Sequence, residues 1–247
     1  MERIFITGAT SGIGRELALQ YAAEGTRVVG LVGRRADRLE QVAAEAKQRG
    51  AREVHLFGAD VGDRAAMVEA ARAFLERAGG VDLVVANAGV GAPDRLSQGD
   101  PGPVSELLRI NVQGVIHTIV PFVPAMKAAG RGHVVAVASV AGFRALGGHA
   151  GYCASKIAVR TLLDGWSYDL ARWGIRVTCV NPGFVKSEMT APNEFPMPFL
   201  LETDDAVRRI RRAIRRGKRE LTFPLPMAIM ARLMWLVPRF LIRRLPR

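Results

Sequence analysis

Short runs of Val, Ile, Leu and Phe alternate along this chain with stretches whose apolar residues recur at helical spacing. The first run, Arg3–Thr7, is closed by Gly8. Gly14–Glu24 follows, with Leu17, Ala18, Tyr21 and Ala22 on one face and Gly25 as a stop. The pattern then repeats. Apolar runs at Arg27–Val32, Val54–Phe57, Val81–Ala86, His133–Ala138 and Ile175–Val180 read as strands. Asp37–Gly50, Asp63–Ala78, a long segment within Val104–Met126 and Ala150–Arg172 read as helices. Runs this continuously apolar are buried on both faces, which predicts an α/β fold: a doubly wound parallel sheet between two layers of helices. Neither a repeat nor a linker interrupts it before about residue 183. We expect one domain, with residues 1–203 as its body, 183–203 as a separate segment over it, and 204–247 as a C-terminal extension.

Composition narrows the class. Of 247 residues, 49% are hydrophobic, enough to bury a core and to exclude a mostly disordered chain. Cys153 and Cys179 are too few for a disulfide framework or a four-thiolate metal site. No apolar leader precedes the first strand, and a reducing, cytoplasmic setting is the expectation. The net charge of +12 is unevenly spread: residues 208–247 hold 13 basic residues and one acid, Glu220, and the rest of the chain is balanced. Any attraction for anions belongs to that tail or to a local site.

One local site lies between the first strand and the first helix, in Thr7-Gly8-Ala9-Thr10-Ser11-Gly12-Ile13-Gly14. Gly8 permits a tight turn, Gly12 lets backbone approach a pyrophosphate, and Gly14 lets helix pack on sheet; the helix start offers N–H groups to phosphate. Taken alone, the glycines also fit an ordinary turn. The second strand ends in Gly33-Arg34-Arg35, where an NAD site would want an acid for the ribose 2′-hydroxyl. A guanidinium instead pairs with a 2′-phosphate, so NADP(H) is expected over NAD(H), with Arg34 in direct contact and Arg35 assisting. A solvated arginine pair is the alternative.

A second constellation is Tyr152-Cys-Ala-Ser-Lys156 in the long helix, with Ser139 just past the fifth strand. Residues four apart share a helix face, and an ammonium beside a phenol lowers its pKa toward working pH, making a general acid or base.

Together with Asp60-Val61, Asn87-Ala88-Gly89, Asn111 and Asn181-Pro182-Gly183, these motifs occur in the order found in the short-chain dehydrogenase/reductase family. The chain resembles its compact single-domain branch over roughly residues 1–190. The resemblance implies that Tyr152 exchanges a proton with a substrate oxygen, Ser139 hydrogen-bonds that oxygen, Lys156 tunes the tyrosine and holds the nicotinamide ribose, and Asn111 holds a water on a proton relay. It further implies that Asp60 and Val61 contact adenine, that Asn87, Ala88 and Gly89 support the sheet beside the cofactor, and that Pro182, Gly183, Val185 and Ser187 meet its nicotinamide end. Ser187 stands where threonine is common, and Ala86 where many members have a second asparagine. A homo-oligomer is also expected by resemblance. A NAD-preferring dehydrogenase and a cofactor-binding sensor without turnover remain alternatives; the complete Asn111, Ser139, Tyr152 and Lys156 set favours the enzyme.

The remaining residues read as structural. His55, His117, His133 and His149 are scattered rather than clustered, and Cys153 reads as a core thiol. Asp164 and Asp169 read as helix-surface or capping charges. Met189, Phe195, Met197, Phe199, Leu200 and Leu201, interspersed with prolines, make an apolar segment that the resemblance puts over the substrate. A hydrophobic carbonyl or alcohol is therefore expected. In the tail, Asp204–Arg216 predicts a helix with Ala206, Val207, Ile210, Ala213 and Ile214 on one face and six arginines opposite. Met227–Val237, interrupted by Arg232, is too short to span a bilayer. With Trp235, Phe240 and the arginines to Arg247, residues 221–247 fit a peripheral membrane contact, a cover over the cleft or a subunit contact; no motif points to nucleic acid.

Overall fold

A computed structural model describes residues 1–145, 147–193 and 195–237. The part of the predicted tail contact at residues 238–247 lies outside them. The elements are β1 (Arg3–Thr7), α1 (Gly12–Ala22), β2 (Val28–Gly33), α2 (Ala36–Gln48), β3 (Glu53–Gly58), α3 (Arg64–Ala78) and β4 (Leu83–Ala86) in the first half. A helical stretch follows as α4 (Gly102–Leu108), a π turn (Arg109–Gln113), α5 (Gly114–Ile119), a 3-10 turn (Val120–Phe122) and α6 (Val123–Ala129). The chain continues through β5 (Gly132–Val137), α7 (Ala150–Ala171), β6 (Ile175–Pro182), α8 (Thr203–Arg215), β7 (Glu220–Phe223) and α9 (Leu225–Leu233).

The seven strands form one parallel sheet in the order β3-β2-β1-β4-β5-β6-β7. This is the α/β Rossmann-like fold that the apolar runs predict. Alternation within each strand divides the core between two faces. In β1, Ile4 and Ile6 join Leu17, Leu19 and Leu39 under α1 and α2, whereas Phe5 turns to the other side. There its ring lies 4.7 Å from Phe122 and 5.3 Å from Phe74, offset or edge-on as aromatic quadrupoles prefer. The chain leaves β1 in one direction toward β2 and β3 and in the other toward β4, so a crevice opens at the carboxyl ends of β1 and β4, where such sheets bind ligands.

Two expectations need correction and one gains detail. The long helix around Asn111 runs on from Gly102 to Ala129, with a π turn that inserts a residue at Asn111 itself and a 3-10 turn at Val120–Phe122, around Pro121 and beside Pro124, which lack an N–H. The tail adds a seventh strand, Glu220–Phe223, which pairs parallel with β6 through Cys179–Pro182; four residues of mixed polarity were too short a run to read. In α8, Arg211 does not belong to the solvent face. Its guanidinium is buried over the Tyr21 ring, 4.9 Å from the centroid, bonded to Gln20 and paired with Glu24. Arginine stacks on aromatic faces where lysine would not, so α8 is sealed to α1 across an otherwise basic surface.

Candidate active site

The crevice is built first by Thr7, the last residue of β1. Its buried hydroxyl accepts the backbone N–H groups of Asn87 (3.2 Å) and Ala88 (3.3 Å), and the Asn87 amide donates back to the carbonyls of Thr7 (3.1 Å) and Gly8 (3.2 Å). The glycine loop after β1 is thereby tied to the end of β4. Gly8 (φ +65°) and Gly12 (φ +51°) adopt left-handed backbone, and a Cβ on Gly14 would collide with the Gly8 carbonyl and the Asn87 amide. Ser11 leaves the first turn of α1 without a side-chain cap, so the helix start at Gly12, Ile13 and Gly14 presents N–H groups and the positive dipole end to the crevice.

The other wall carries charge. Arg34 and Arg35 are both exposed at the end of β2. Arg35 bonds Thr10 Oγ1 (3.0 Å) and Glu188 (2.9 Å). Asp60 accepts from Gly62 N (2.9 Å) and from Arg109 (2.8 Å), and with Arg34 also near, the two guanidiniums hold its carboxyl below the usual range against a desolvation that acts the other way. Val61 is buried, its carbonyl 2.9 Å from His117 Nδ1. This donor set suits a dinucleotide: glycines and a helix start for the pyrophosphate and an acid at the adenine end, with two exposed arginines beside it.

Ser139, Tyr152 and Lys156 converge at the carboxyl ends of β5 and β6. Ser139 follows β5 and its Oγ accepts the Ala141 N–H (3.1 Å). Tyr152 lies in the first turn of α7, within hydrogen-bonding reach of the Ser139 hydroxyl. Lys156, one turn on, lies 5.6 Å from the Tyr152 ring centroid and donates to the Val137 carbonyl (3.1 Å). The Asn111 side chain accepts the Val90 N–H at Oδ1 (2.8 Å) and donates from Nδ2 to the Val90 carbonyl (2.9 Å) and to Ser155 Oγ (3.1 Å), which leaves Oδ1 a second lone pair. A Cβ on Gly89 would sit 3.1 Å from Asn111 Oδ1 and 3.5 Å from Lys156 Nζ, so Gly89 leaves open the space between them.

The electrostatics differ from the simple expectation. Burial raises the Tyr152 phenol above its ordinary value, and the Ser139 hydroxyl only partly offsets this. Burial likewise pulls Lys156 down to about 8. In the protein alone burial outweighs what lowers the phenol, and at pH 7 the phenol carries its proton, as Lys156 for the most part does.

Beyond β6, Pro182 is the last strand residue, and the Gly183 N–H bonds the Phe223 carbonyl (2.7 Å). Val185 bridges Leu201, closing the apolar segment at its base, and Ser187 lies against Gly12. Met189 and Tyr152 both come within about 4 Å of where a Gly91 Cβ would lie. Phe184 and Phe195 are in ring contact at 6.0 Å. His149 precedes α7 without capping it, and Cys153 is buried.

Two functional neighbours escaped the sequence reading. Asp94 is buried, and its carboxylate accepts the N–H groups of Ala150 (2.6 Å) and Gly151 (2.9 Å), capping α7 from another part of the chain. The missing cap residue ahead of Ala150 was its one trace in the sequence. Glu188, the partner of Arg35, left none.

Comparison with known proteins agrees with this architecture. Residues 2–196 match the short chain dehydrogenase family. An uncharacterised oxidoreductase of Myxococcus xanthus is 45% identical over 233 residues, covering 94% of this chain and 91% of its own length. An alcohol dehydrogenase from the archaeon Thermococcus sibiricus, solved with 5-hydroxy-NADP, superposes with a TM-score of 0.81 at 30% identity over 90% of this chain and 96% of that one. A short chain dehydrogenase/reductase from Burkholderia phymatum, solved with NAD, gives a TM-score of 0.86 at 25% identity over 100% of this chain and 96% of that one.

Proposed function

The chain belongs to the short-chain dehydrogenase/reductase family, and within it we propose an NADP(H)-dependent enzyme that interconverts a carbonyl and an alcohol on an apolar substrate. The observation that carries this reading is the meeting of Ser139, Tyr152 and Lys156 beside a crevice whose far end holds Arg34 and Arg35. The Thermococcus sibiricus enzyme, which bound an NADP derivative, lends support at the level of a relative.

When bound, the nicotinamide supplies or accepts the hydride. The protein does the rest. Tyr152 gives its phenolic proton to the substrate oxygen in reduction and takes one in oxidation. The Ser139 hydroxyl donates to the same oxygen and stabilises the charge that develops there. Lys156 holds a proton one turn from the phenol and takes the nicotinamide ribose. Asn111 fixes the inner wall and holds a water through which Tyr152 is reprotonated. Asp60 and Val61 take adenine, Asn87, Ala88 and Gly89 keep the glycine loop in place, and Pro182, Gly183, Val185 and Ser187 meet the nicotinamide end. Residues 183–203, which would lie over the substrate as a lid, are apolar and in part exposed at Met189, Phe195, Phe199 and Leu200, which favours a hydrophobic substrate.

Calorimetric titration with NADP+ and NAD+ tests the cofactor assignment. NADP+ binds more tightly in the parent protein, and Arg34→Ala removes the difference; equal affinities in the parent overturn it. A panel of aliphatic, aromatic and polycyclic carbonyls followed by NADPH absorbance tests the chemistry. Turnover restricted to small polar carbonyls contradicts the apolar substrate.

A further inference from the structure

The turn that follows Val185 points two neighbouring side chains in different directions. It is closed by the Thr190 and Ala191 N–H groups on the Ser187 carbonyl (3.1 and 3.0 Å), and Thr190 Oγ1 accepts the Ser187 N–H (2.9 Å) and donates to the Val185 carbonyl (2.8 Å). This turn leans on the glycine loop, with Ser187 Cβ 3.2 Å from where a Gly12 Cβ would lie. Met189 faces the Tyr152 side. Glu188 faces the phosphate end.

There its carboxylate meets the groups that would hold a phosphate. It pairs with Arg35 (2.9 Å), which also bonds Thr10 Oγ1 (3.0 Å), and with the Ser11 hydroxyl and Arg38 nearby its carboxyl is held below the usual range, chiefly by Arg35. A loop on the far side of the crevice thus supplies an anion to Arg35, beside Thr10 and Ser11. We propose that Glu188 is a built-in competitor of the cofactor's 2′-phosphate for Arg35, so that NADP(H) binds by displacing it. This rests on the NADP(H) reading above and adds to it a specificity-determining residue that weakens cofactor binding. Arg35 cannot pair fully with both anions, and two anions brought to one guanidinium repel each other. Both side chains are about half exposed, so the competition is modest, as for other solvent-facing ion pairs.

The test is isothermal titration of NADPH, NADH and 2′,5′-ADP into the parent protein, Glu188→Gln, Arg35→Ala and the double variant. Glu188→Gln tightens NADPH and 2′,5′-ADP by about two- to fivefold, the range an exposed ion pair supplies, and changes NADH by less. In the Arg35→Ala background the same substitution gives no gain. A Glu188→Gln protein that binds NADPH no better, or gains equally with NADH, overturns the proposal, as does a gain that survives the loss of Arg35. Glu188→Ala checks that the result comes from removing charge rather than from the new amide. The parent titrations separate the two layers: if NADH binds as tightly as NADPH, the cofactor reading fails before any substitution is made.

Discussion

At the scale of single residues the site turns on where protons sit. Tyr152 is protonated through the neutral range because burial raises its pKa. That state can give a proton to a carbonyl at once, whereas alcohol oxidation needs the phenolate. We therefore expect the oxidation rate at saturating cofactor to climb between pH 7 and pH 9; a flat profile over that range would contradict the assignment. The residues that meet at the candidate site were legible in the sequence because each sits in a short motif whose context is local: glycines between a strand and a helix, a tyrosine and a lysine one turn apart. Glu188 and Asp94 were not legible, because their partners lie 153 and 56 residues away and only folding brings them together. Spacing reveals that Lys156 is close to Tyr152, but not that Lys156 is buried and that desolvation works against a lowered phenol pKa.

At the scale of elements, two cases bear on function or stability. Helix α7 carries Tyr152 in its first turn, and that turn is capped by Asp94 rather than by a residue of its own. Asp94→Ala is expected to cost about 1–2 kcal/mol of stability and to lower kcat by loosening Tyr152; a variant with unchanged denaturation midpoint and kcat would refute the cap. In β5, His133 is fully buried, its Nε2 2.8 Å from Thr178 Oγ1, which in turn donates to the Lys218 carbonyl (2.6 Å). Burial and the nearby Arg176 lower its pKa from 6.5 to about 4. A folded-state pKa below the unfolded one means that stability is full above about pH 6.5 and falls as pH drops toward 4, by on the order of 3 kcal/mol. Urea denaturation across pH 7 to 4 should show that loss, and His133→Val should shrink it; parallel pH profiles for the two proteins would rule it out. Most strands and helices were legible from apolar periodicity. The π and 3-10 turns inside the helix around Asn111 were not, since Pro121 and Pro124 mark a change of hydrogen bonding without saying that the helix runs on through it.

At the scale of the whole molecule, the C-terminal stretch builds more of the body than its charge implied. β7 extends the sheet, α8 buries an apolar face against α1, and Met227 of α9 packs under Gly183 at the root of the lid. The outer face of α9 stays exposed at Leu225, Ile229, Met230 and Leu233, and the sequence from Leu221 to Arg247 holds five arginines and no acid. We propose that this face meets an anionic lipid surface beside the cleft mouth. Vesicles containing phosphatidylglycerol should sediment the protein and neutral vesicles should not, with Ile229→Glu/Leu233→Glu abolishing capture. Equal capture of the double variant would remove α9 from the contact. The sheet order was foreseeable only as a class, because the sequence marks which segments are strands but not which of them are neighbours.

The account depends most on Tyr152 as the group that moves the proton. Tyr152→Phe removes one oxygen from a site whose other bonds remain, so the informative measurement is carbonyl reduction by this variant beside its NADPH affinity. We predict a loss of kcat by about 10²–10⁴-fold, the range for a positioned general acid, with the affinity for NADPH changed by less than about twofold. A variant that still turns over near the parent rate would contradict the account.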